Sequence, residues 1–420
     1  MCNFVPGQVV AIGPISVLSE IRDELPGRLG AVTPLVTEQG EIDFNSELSR
    51  LGSVVLKTDP GLELYAISRL SARLAGAIER NDAVVDVNQI LPLSGPEAIS
   101  TPSLRLSPHA EREAGAVRQL LRATLSPQAT PRKVAVLDSG LSADFTAHRE
   151  VRYYDYSTGG RLRRDVDAAD PVGHGTRVAS ILDQILPSEV ELCVGRLPSD
   201  PGGLTALTIA QAIGDMVARE TPDVLNLSVA LRNDWFLCPH CRQRVPAPTL
   251  LSSLLPLVIR LAGRTTSSTL TVMAAGNTGQ TPNSRWLTED VETLMFAVAE
   301  NRNRERTRYS SAPEGPRGDL FSAGAFGGDD PDDPGAQGVF ADGSHGTSFA
   351  APFVSAVALL TKTFRSPMTL GFPTRIGMFT REIIEAARDG RYPRMRAQDA
   401  QPDANQAIHP TGVPAAELRR

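Results

Sequence analysis

Apolar and polar positions follow a repeating pattern in the second part of the chain. From Lys133 onward, short and nearly continuous apolar runs are separated by longer stretches with apolar residues about every three or four positions. Continuous apolar runs are typical of parallel strands buried on both faces, and the longer period is that of amphipathic helices. The predicted strands are Val134–Leu137, Val190–Val194, Val224–Val229, Leu270–Ala275 and Met295–Val298.

The alternation of strands with helices predicts an α/β domain over residues 131–390. Parallel neighbouring strands need crossover connections, which are right-handed and place helices against the sheet. The expected architecture is therefore a parallel sheet covered by helices on both faces. A chain of 420 residues has room for a further domain before it.

Residues 1–93 carry a second, smaller pattern of the same kind. Apolar runs at Val9–Ile12, Val54–Leu56 and Ala83–Val87 alternate with helical stretches near Ile15–Leu25 and Ile67–Ile78. This order of strands and helices is sufficient for a small α/β domain, which is the structure we expect here.

Two segments lack a sustained apolar period. Residues 94–130 are rich in Pro, Ser and charged residues, which predicts a linker with one short helix near Glu111–Ala123. Residues 391–420 are polar and contain several prolines, and we expect them to form a tail outside the packed core.

Composition narrows the classes of function. The chain has 41% hydrophobic and 21% charged residues, as expected of a globular protein, and a formal net charge of −6, which offers no basic footprint for nucleic acid. The apolar stretch Val9–Leu18 is short, is interrupted by Pro14 and has no basic segment before it, so it fits neither a signal peptide nor a membrane span. We therefore expect a cytoplasmic protein with no nucleic-acid or membrane partner.

Three polar residues stand where apolar elements end or begin. Asp138 follows a predicted strand, at the edge where open α/β sheets build their sites. His174 lies between two glycines at the start of an amphipathic helix, and Ser348 opens a helix of small residues. Each has a structural alternative, since Asp and Ser commonly cap helices or loops and a lone His is commonly a cap or surface residue.

The three segments together resemble the subtilisin-like serine proteases, in which the chain order is also Asp, His, Ser. The resemblance covers about residues 131–390 and rests on VAVLDSGL, DPVGHGTRVAS and SHGTSFAAPFVSAVALL. It implies a subtilisin-like fold and a serine endopeptidase that acts on protein or peptide substrates. Ser348 would then be the nucleophile, His174 the general base and acid, and Asp138 the group that orients His174.

The same resemblance assigns residues around the triad. Asn277, after a predicted strand, matches the position that donates an amide to the oxyanion, although Asn after Gly is often only a turn residue. Two segments match the walls of the substrate cleft. Their small or apolar side chains indicate a substrate with a medium-sized apolar residue just before the scissile bond. The substrate-binding candidates are Ser228, Val229, Ala230, Ala274 and Gly276.

The sequence departs from the family's usual pattern at several positions near these motifs. Arg177 stands where a second His is usual, Ser180 where Gly is usual, and Phe353 where a His is common. The segment from Asp183 to Glu189 is short, whereas many relatives insert a calcium-binding loop there, so we do not carry over that calcium site.

Residues 1–93 resemble the propeptides of these proteases, which are small ferredoxin-like domains. The resemblance rests on FVPGQVVA and IERNDAVVDVNQ. It implies a domain that assists folding and lays its last strand in the cleft, with side chains near Leu91 and Leu93 in substrate pockets. The alternative is a generic α/β accessory domain. An inhibitory domain of this kind would need cleavage or displacement, for which an activating partner protein is one route.

Metal and redox chemistry have weaker signals. Cys238 and Cys241 in CPHC form half of a zinc site, a redox dithiol or a surface turn with free thiols. The acidic run Asp329–Asp333 has the oxygen ligands that Ca²⁺ prefers, but such a run is more often a solvated loop. We predict no cofactor or metal at the candidate site.

Two further classes of function compete with a peptidase. A pseudoprotease would use the cleft only to bind peptides, and a zinc-dependent or redox interaction protein would centre on Cys238 and Cys241. The complete set of Asp138, His174, Ser348 and Asn277 favours the peptidase, because peptide binding alone requires no such set.

Overall fold

The computed structural model describes most of the first 363 residues, with gaps. The described ranges are 4–24, 29–35, 50–80, 82–90, 104–125, 132–163, 166–200, 203–228, 235–237, 244–246, 254–264, 269–279, 293–312, 322–363 and residue 384. The cysteines of the CPHC motif, Val229, Ala230, Leu91 and Leu93 lie outside these ranges, as do residues 391–420.

The N-terminal domain has the ferredoxin-like strand order that the resemblance implied. Its elements are β1 (Phe4–Pro14), α1 (Ile15–Glu24), β2 (Thr33–Pro34), β3 (Leu51–Lys57), α2 (Glu63–Arg73), α3 (Ala75–Glu79) and β4 (Val84–Gln89). The sheet order is β2-β3-β1-β4, and every neighbouring pair is antiparallel. The two longest strands are thus neighbours.

The larger domain is built on an eight-stranded sheet. Its elements are α4 (Pro108–Thr124), β5 (Lys133–Asp138), β6 (Val151–Thr158), β7 (Arg161–Arg163), α5 (His174–Ile185), β8 (Glu191–Arg196), α6 (Ala206–Glu220), β9 (Val224–Leu227), β10 (Trp235–Leu237), β11 (Arg244–Pro246), α7 (Leu254–Arg264), β12 (Leu270–Ala274), β13 (Leu294–Glu300), β14 (Ser322–Phe326) and α8 (Thr347–Thr363). The order β14-β13-β12-β9-β5-β8-β6-β7 is parallel except for the β6-β7 hairpin. Strands β10 and β11 form a separate antiparallel pair.

All five strands predicted for this domain are present, and their apolar runs are explained by burial on both faces. In β5, Val134 and Val136 pack in the core with α4, α5 and α8, whereas Ala135 and Leu137 pack in the core with α6 and α7. Strands β6, β7 and β14 were not predicted. They lie toward the sheet edges, where polar or small residues replace the apolar run.

The helix α4 differs from the predicted linker helix in length and in role. It extends from Pro108 to Thr124 and is capped by Ser107, whose hydroxyl accepts the Ala110 N–H at 3.4 Å. Its apolar face, including Val117 and Leu121, is buried in the same core as α5 and α8. The helix is therefore part of the core of the larger domain, because an amphipathic face of this size must be covered.

The N-terminal domain packs on the larger domain through one face of its sheet. In β1, Val9 and Ala11 face the helices of their own domain, whereas Val10 and Ile12 are buried in the core formed with α6 and α7. Both faces of β1 are covered, which explains its continuous apolar run. In the described ranges, no helix has the length and apolar character needed to cross a membrane.

A buried ion pair holds the far end of α5. Arg149 Nε lies 2.9 Å from Asp183 Oδ1, and the other guanidinium nitrogens donate to carbonyl groups at the end of the helix. Burial alone raises the pKa of Asp183, but hydrogen bonds from His148 and Arg149 outweigh it and hold the pKa below its ordinary value. The carboxylate is therefore ionised near neutral pH.

Asp183→Asn should remove a stabilisation that exists at neutral pH and disappears in acid. Because the pKa of Asp183 is lower in the folded chain than the roughly 3.9 of an unfolded chain, the unfolded state binds more protons in acid. Ionised Asp183 then stabilises the fold fully above about pH 4, and less as the pH falls through the folded pKa. Urea unfolding at several pH values measures the free energy of unfolding of the wild type and the variant. A difference between these free energies that does not become smaller in acid would contradict the prediction.

Candidate active site

The carboxyl edge of the central strands carries the first candidate residue. Asp138 is the last residue of β5, which lies between β9 and β8, and its side chain is fully buried. Its Oδ1 accepts the N–H of Ser139 at 2.7 Å. Its Oδ2 is buried with no hydrogen-bond partner in the described part of the chain. The carboxylate is thus fixed through Oδ1 in a place that water does not reach.

His174 is the first residue of α5 and is held against Asp138. The preceding Gly173 adopts a left-handed conformation with φ of 78°, which lets the chain turn into the helix. A side chain on Gly175 would place its Cβ 2.3 Å from the carbonyl oxygen of Gly140, so only glycine permits this approach. The imidazole Nδ1 lies 2.7 Å from Asp138 Oδ1.

Asp170 organises the start of α5, and sequence analysis did not single it out. Its Oδ1 accepts the Gly173 N–H at 2.7 Å and the Ser139 hydroxyl at 2.7 Å, and its Oδ2 accepts the Thr176 N–H at 2.8 Å. The Ser139 hydroxyl in turn accepts the Gly175 N–H at 2.8 Å. A carboxylate just before a helix is a known capping signal, and it was available in the sequence.

Ser348 lies in the first turn of α8 and completes the set. Its Oγ is 2.9 Å from His174 Nε2, so Asp138, His174 and Ser348 form one hydrogen-bonded chain. Helix α8 is buried from Thr347 to Leu360 and contacts β12, β13, β14, α4 and α5. This packing fixes the helix axis and thereby the position of the Ser348 side chain.

A buried polar network fastens α8 to the sheet. Asn226, on β9, donates its amide to Ser355 Oγ at 2.9 Å, and Asn226 Oδ1 lies 2.6 Å from the hydroxyl of Ser228. That hydroxyl also lies 3.0 Å from the carbonyl oxygen of Ser348. Buried polar groups with partners specify one arrangement of their elements. Sequence analysis missed Asn226 and Ser355, because polar residues inside an apolar run carry no periodic signal.

Asn277 lies beside Ser348, just beyond β12. Its Oδ1 accepts both the N–H and the hydroxyl of Thr347, each at 2.9 Å. These two donors direct the Nδ2 amide group away from Thr347. A Cβ on Gly346 would lie 3.2 Å from Asn277 Nδ2 and 3.3 Å from Ser348 Oγ, so Gly346 leaves the space between the two groups open.

The predicted substrate-binding residues divide into described and undescribed ones. Ser228, Ala274 and Gly276 lie at the carboxyl ends of β9 and β12, on the same sheet edge as Asp138. Gly276 has φ of 102° and donates its N–H to Thr347 Oγ1 at 3.1 Å. Val229 and Ala230 lie outside the described residues. Ser228 and Gly276 therefore adjoin the first turn of α8.

The acidic run is tied into ion pairs and backbone hydrogen bonds. Asp329 accepts the N–H of Gln337 at 2.8 Å and lies 2.7 Å from the guanidinium of Arg302. Asp330 accepts the N–H of Arg308 at 2.8 Å, and Arg308 also contacts Asp333. Among the described residues, no group of three or more His, Cys, Asp or Glu side chains is arranged to hold a metal ion.

The geometry permits nucleophilic catalysis. A hydroxyl within hydrogen-bond distance of an imidazole, which is oriented by a buried carboxylate, is the arrangement that activates an oxygen nucleophile. The N–H of Thr347 donates to Asn277 Oδ1 and that of Phe349 to the carbonyl of Gly346, and the start of α8 carries the positive end of the helix dipole. Negative charge that develops beside Ser348 is therefore stabilised where the hydroxyl reacts.

The fold and this set of residues define a serine-type peptidase, a hydrolase with a mainly parallel subtilisin-like sheet. The model of the subtilase family matches residues 131–386, which is more than half of the chain, and the chain belongs to that family. A comparison with curated proteins gave no match.

Solved structures of proteases resemble this chain to different extents. The epidermin leader peptide processing serine protease of Staphylococcus aureus is 13% identical, with a TM-score of 0.50 over 91% of this chain and 91% of that chain. The prenylagaramide maturation protease PagA is 19% identical, with a TM-score of 0.39 over 61% of this chain and 84% of that chain. The subtilisin-like protease Apa1 from Pseudoalteromonas sp. AS-11 is 14% identical, with a TM-score of 0.37 over 53% of this chain and 46% of that chain.

Gly346→Ala should impair peptide hydrolysis because a methyl group would enter the space between Asn277 and Ser348. The φ of Gly346 is 150°, which an L residue rarely adopts, so both strain and contact displace the loop. Displacements near 1 Å cost about 10²-fold in rate, and we expect a loss of that order in kcat/KM with a fluorogenic peptide. Gly335→Ala is the matched control, since Gly335 has φ of 72° but no atom within 4 Å of the added Cβ. Equal losses in both variants would contradict the prediction.

Proposed function

We propose that the protein is a serine endopeptidase in which Ser348 is the nucleophile, His174 the general base and acid, and Asp138 the residue that orients His174. The single observation that supports this most directly is the hydrogen-bonded chain, with 2.7 Å between Asp138 and His174 and 2.9 Å between His174 and Ser348. All three side chains are buried, so these contacts are formed in a region of low dielectric constant, where they are strongest.

The proposed reaction has two stages. Ser348 Oγ attacks the scissile carbonyl carbon while His174 Nε2 takes the hydroxyl proton, and that proton then passes to the leaving amine. Cleavage of the C–N bond leaves an acyl group on Ser348. Water attacks this ester with His174 again as the base, which releases the acid product and restores the hydroxyl. Asp138 stabilises the imidazolium formed in each stage and keeps its proton on Nδ1.

Asn277 and the N–H of Ser348 are the proposed donors to the oxyanion. The amide oxygen of Asn277 is held by Thr347, so Nδ2 is oriented before substrate binds. A preoriented side-chain donor of this kind lowers the barrier by roughly 3–4 kcal/mol. The wall formed by Ser228, Ala274 and Gly276 has small side chains, which supports a substrate with a medium-sized apolar residue before the cut.

Ser348→Ala should abolish peptide hydrolysis in a chain that still folds. Loss of a triad nucleophile costs on the order of 10⁴ to 10⁶ in kcat, because the remaining groups no longer act as a unit. Hydrolysis of a fluorogenic peptide measures the loss of turnover, and labelling by a fluorophosphonate measures the loss of the reactive hydroxyl. Ser180→Ala is the matched control, since this serine of α5 donates only to the carbonyl group of Arg177 and should keep both signals. Labelling of a folded Ser348→Ala chain would contradict the assignment.

We further propose that the N-terminal domain acts as an intramolecular inhibitor of the peptidase. Its sheet is seated on α6, where Gln211 Nε2 donates to Ser53 Oγ at 3.3 Å and the Leu207 N–H donates to Asn88 Oδ1 at 3.4 Å. Beyond β4, Ile90 forms a bridge with Thr205, in the connection that leaves the carboxyl end of β8. The last described residue of the domain thus lies on the side of the sheet that carries the site.

The chain is anchored again soon afterwards. Leu106 forms an antiparallel bridge with Phe340, and the N–H of Ala341 donates to the carbonyl of Arg105 at 2.9 Å. The segment proposed to pair with the cleft, residues 91–103, lies outside the described ranges, and the two anchors flank it in the sequence. A tethered segment has an effective concentration of about millimolar, so even weak strand pairing would occupy the cleft.

Ile12→Asp should raise the hydrolytic activity of the uncleaved chain. Ile12 is a residue of β1 whose side chain is fully buried against the larger domain. A carboxylate at this position disfavours docking of the N-terminal domain on the larger domain. Leu64→Asp is the matched control, because it adds the same charge to the same domain at a side chain that is 81% exposed. Fluorogenic-peptide rates are compared on chains shown by mass spectrometry to be intact. An intact Ile12→Asp chain with a detached N-terminal domain and no gain in rate would overturn the proposal.

A further inference from the structure

Arg177 is a charged residue with almost no access to water. It lies one turn after His174 on α5, and it is the largest of the fully buried side chains in the described part of the molecule. Its guanidinium spans from α5 to the turn that precedes α8, where Nη1 donates to Ser344 Oγ and Nη2 donates to Asp342 Oδ2. One side chain therefore links the helix of His174 to the segment that leads into Ser348.

The partners of Arg177 also bind each other. Asp342 Oδ1 accepts the N–H of Ser344 at 3.1 Å and its hydroxyl at 2.6 Å, so the three residues form a closed ring of hydrogen bonds. Burial alone raises the pKa of Asp342, but hydrogen bonds from Ser344 and the charge of Arg177 outweigh it and lower the pKa. Asp342 is thus ionised near neutral pH.

The ring fixes a tight turn next to the nucleophile. The N–H of Gly343 donates to the carbonyl of Phe340 at 3.0 Å, and the N–H of Val339 donates to the carbonyl of Ser344 at 2.7 Å. Two residues further on, the N–H of Gly346 donates to the carbonyl of Gly327 at 2.8 Å. A displacement of the turn would therefore be transmitted to Gly346 through a short segment that is held at both ends.

Aromatic rings complete the connection back to the imidazole. The Arg177 guanidinium lies 5.2 Å from the ring centroid of Phe340, which packs edge-on against Phe349 at 5.2 Å. Phe349 in turn packs against the ring of His174 at 5.2 Å. The guanidinium, the two phenyl rings and the imidazole form a continuous packed row between α5 and the first turn of α8.

We propose that Arg177 is a positioning residue that sets the separation of His174 from the loop carrying Gly346 and Ser348. The Arg177 side chain is only 1% exposed, whereas the Asp342 side chain is 24% exposed. Taking a guanidinium out of water is costly, and an apolar residue of similar volume commonly gives equal stability at such a position. A buried arginine in this place is therefore better explained by the geometry that its hydrogen bonds impose than by the stability that they add. The inference rests on the proposed roles of His174 and Ser348.

A second ion pair on the same helix provides a matched comparison. Arg149 and Asp183 have side chains 4% and 3% exposed, compared with 1% and 24% for Arg177 and Asp342, but they lie at the end of α5 away from His174. Both pairs join α5 to a neighbouring segment, and only the pair of Arg177 and Asp342 adjoins the site. Loss of either pair should lower the thermal stability of the chain, whereas only loss of the second should slow the reaction.

The experiment measures kcat and KM with a fluorogenic peptide, the rate of fluorophosphonate labelling and Tm for full-length variants. We expect Arg177→Gln and Asp342→Asn to lower kcat by about 10- to 10²-fold, with KM within about threefold, because the reacting groups are misplaced and binding contacts are kept. The double variant should lose no more than the worse single variant, since both changes remove one interaction. Arg149→Gln and Asp183→Asn should lower Tm and keep kcat within about twofold of wild type.

Arg177→Lys tests the role if the Gln variant does not fold. Lysine keeps a charge beside Asp342 but is a point donor in place of the guanidinium fork, so it should retain more kcat than Gln and less than Arg. Unchanged kcat in folded Asp342→Asn and Arg177→Lys chains would overturn the inference and leave the proposed function standing, as would an equal fall in kcat in the Arg149 and Asp183 variants. A wild-type chain that neither hydrolyses peptides nor reacts with the fluorophosphonate would overturn both.

Discussion

Helix α8 has no face to present to water, because its residues are buried without interruption from Thr347 to Leu360. A helix that is apolar all round must lie inside the molecule, and here it lies between the sheet and the helices α4 and α5. Its axis is fixed by packing on every side. The first turn consequently meets the carboxyl edge of the sheet at one place, where Ser348 contacts His174 and Thr347 contacts Asn277.

Burial of the site makes its polar contacts both necessary and strong. Asp138, His174 and Ser348 are withdrawn from water, so each must find partners inside the protein or incur the cost of desolvation. These three side chains pair with one another, and other polar side chains fix the elements that carry them. Asp170 caps the start of α5, Asn226 ties β9 to α8, and Thr347 and Arg177 bond to the segments beside Ser348. The same low dielectric that penalises an unpaired group strengthens each of these hydrogen bonds.

The N-terminal domain depends on the same sheet and helices. Val10 and Ile12 of β1 are buried against α6 and α7, so this face of the small sheet is covered only while the two domains are in contact. Ile90, just after β4, bridges the connection that follows β8. This connection leaves the same edge of the sheet that carries Asp138. The proposed control of the peptidase by its own N-terminal domain rests on this docking, which also sets the position of Ile90.

The amino-acid sequence by itself determined the central strands, the helices between them and the family. Buried parallel strands and amphipathic helices have distinct periods, and Asp138, His174 and Ser348 stand beside short motifs that local sequence carries. Strands β6 and β14 lack the apolar run, because polar residues in β6 and small residues in β14 replace it. The tertiary structure was needed to find most of the polar residues that support the site. Asn226 and Arg177 act through partners distant in the chain, and a residue's partner across the fold leaves no period in the sequence around it.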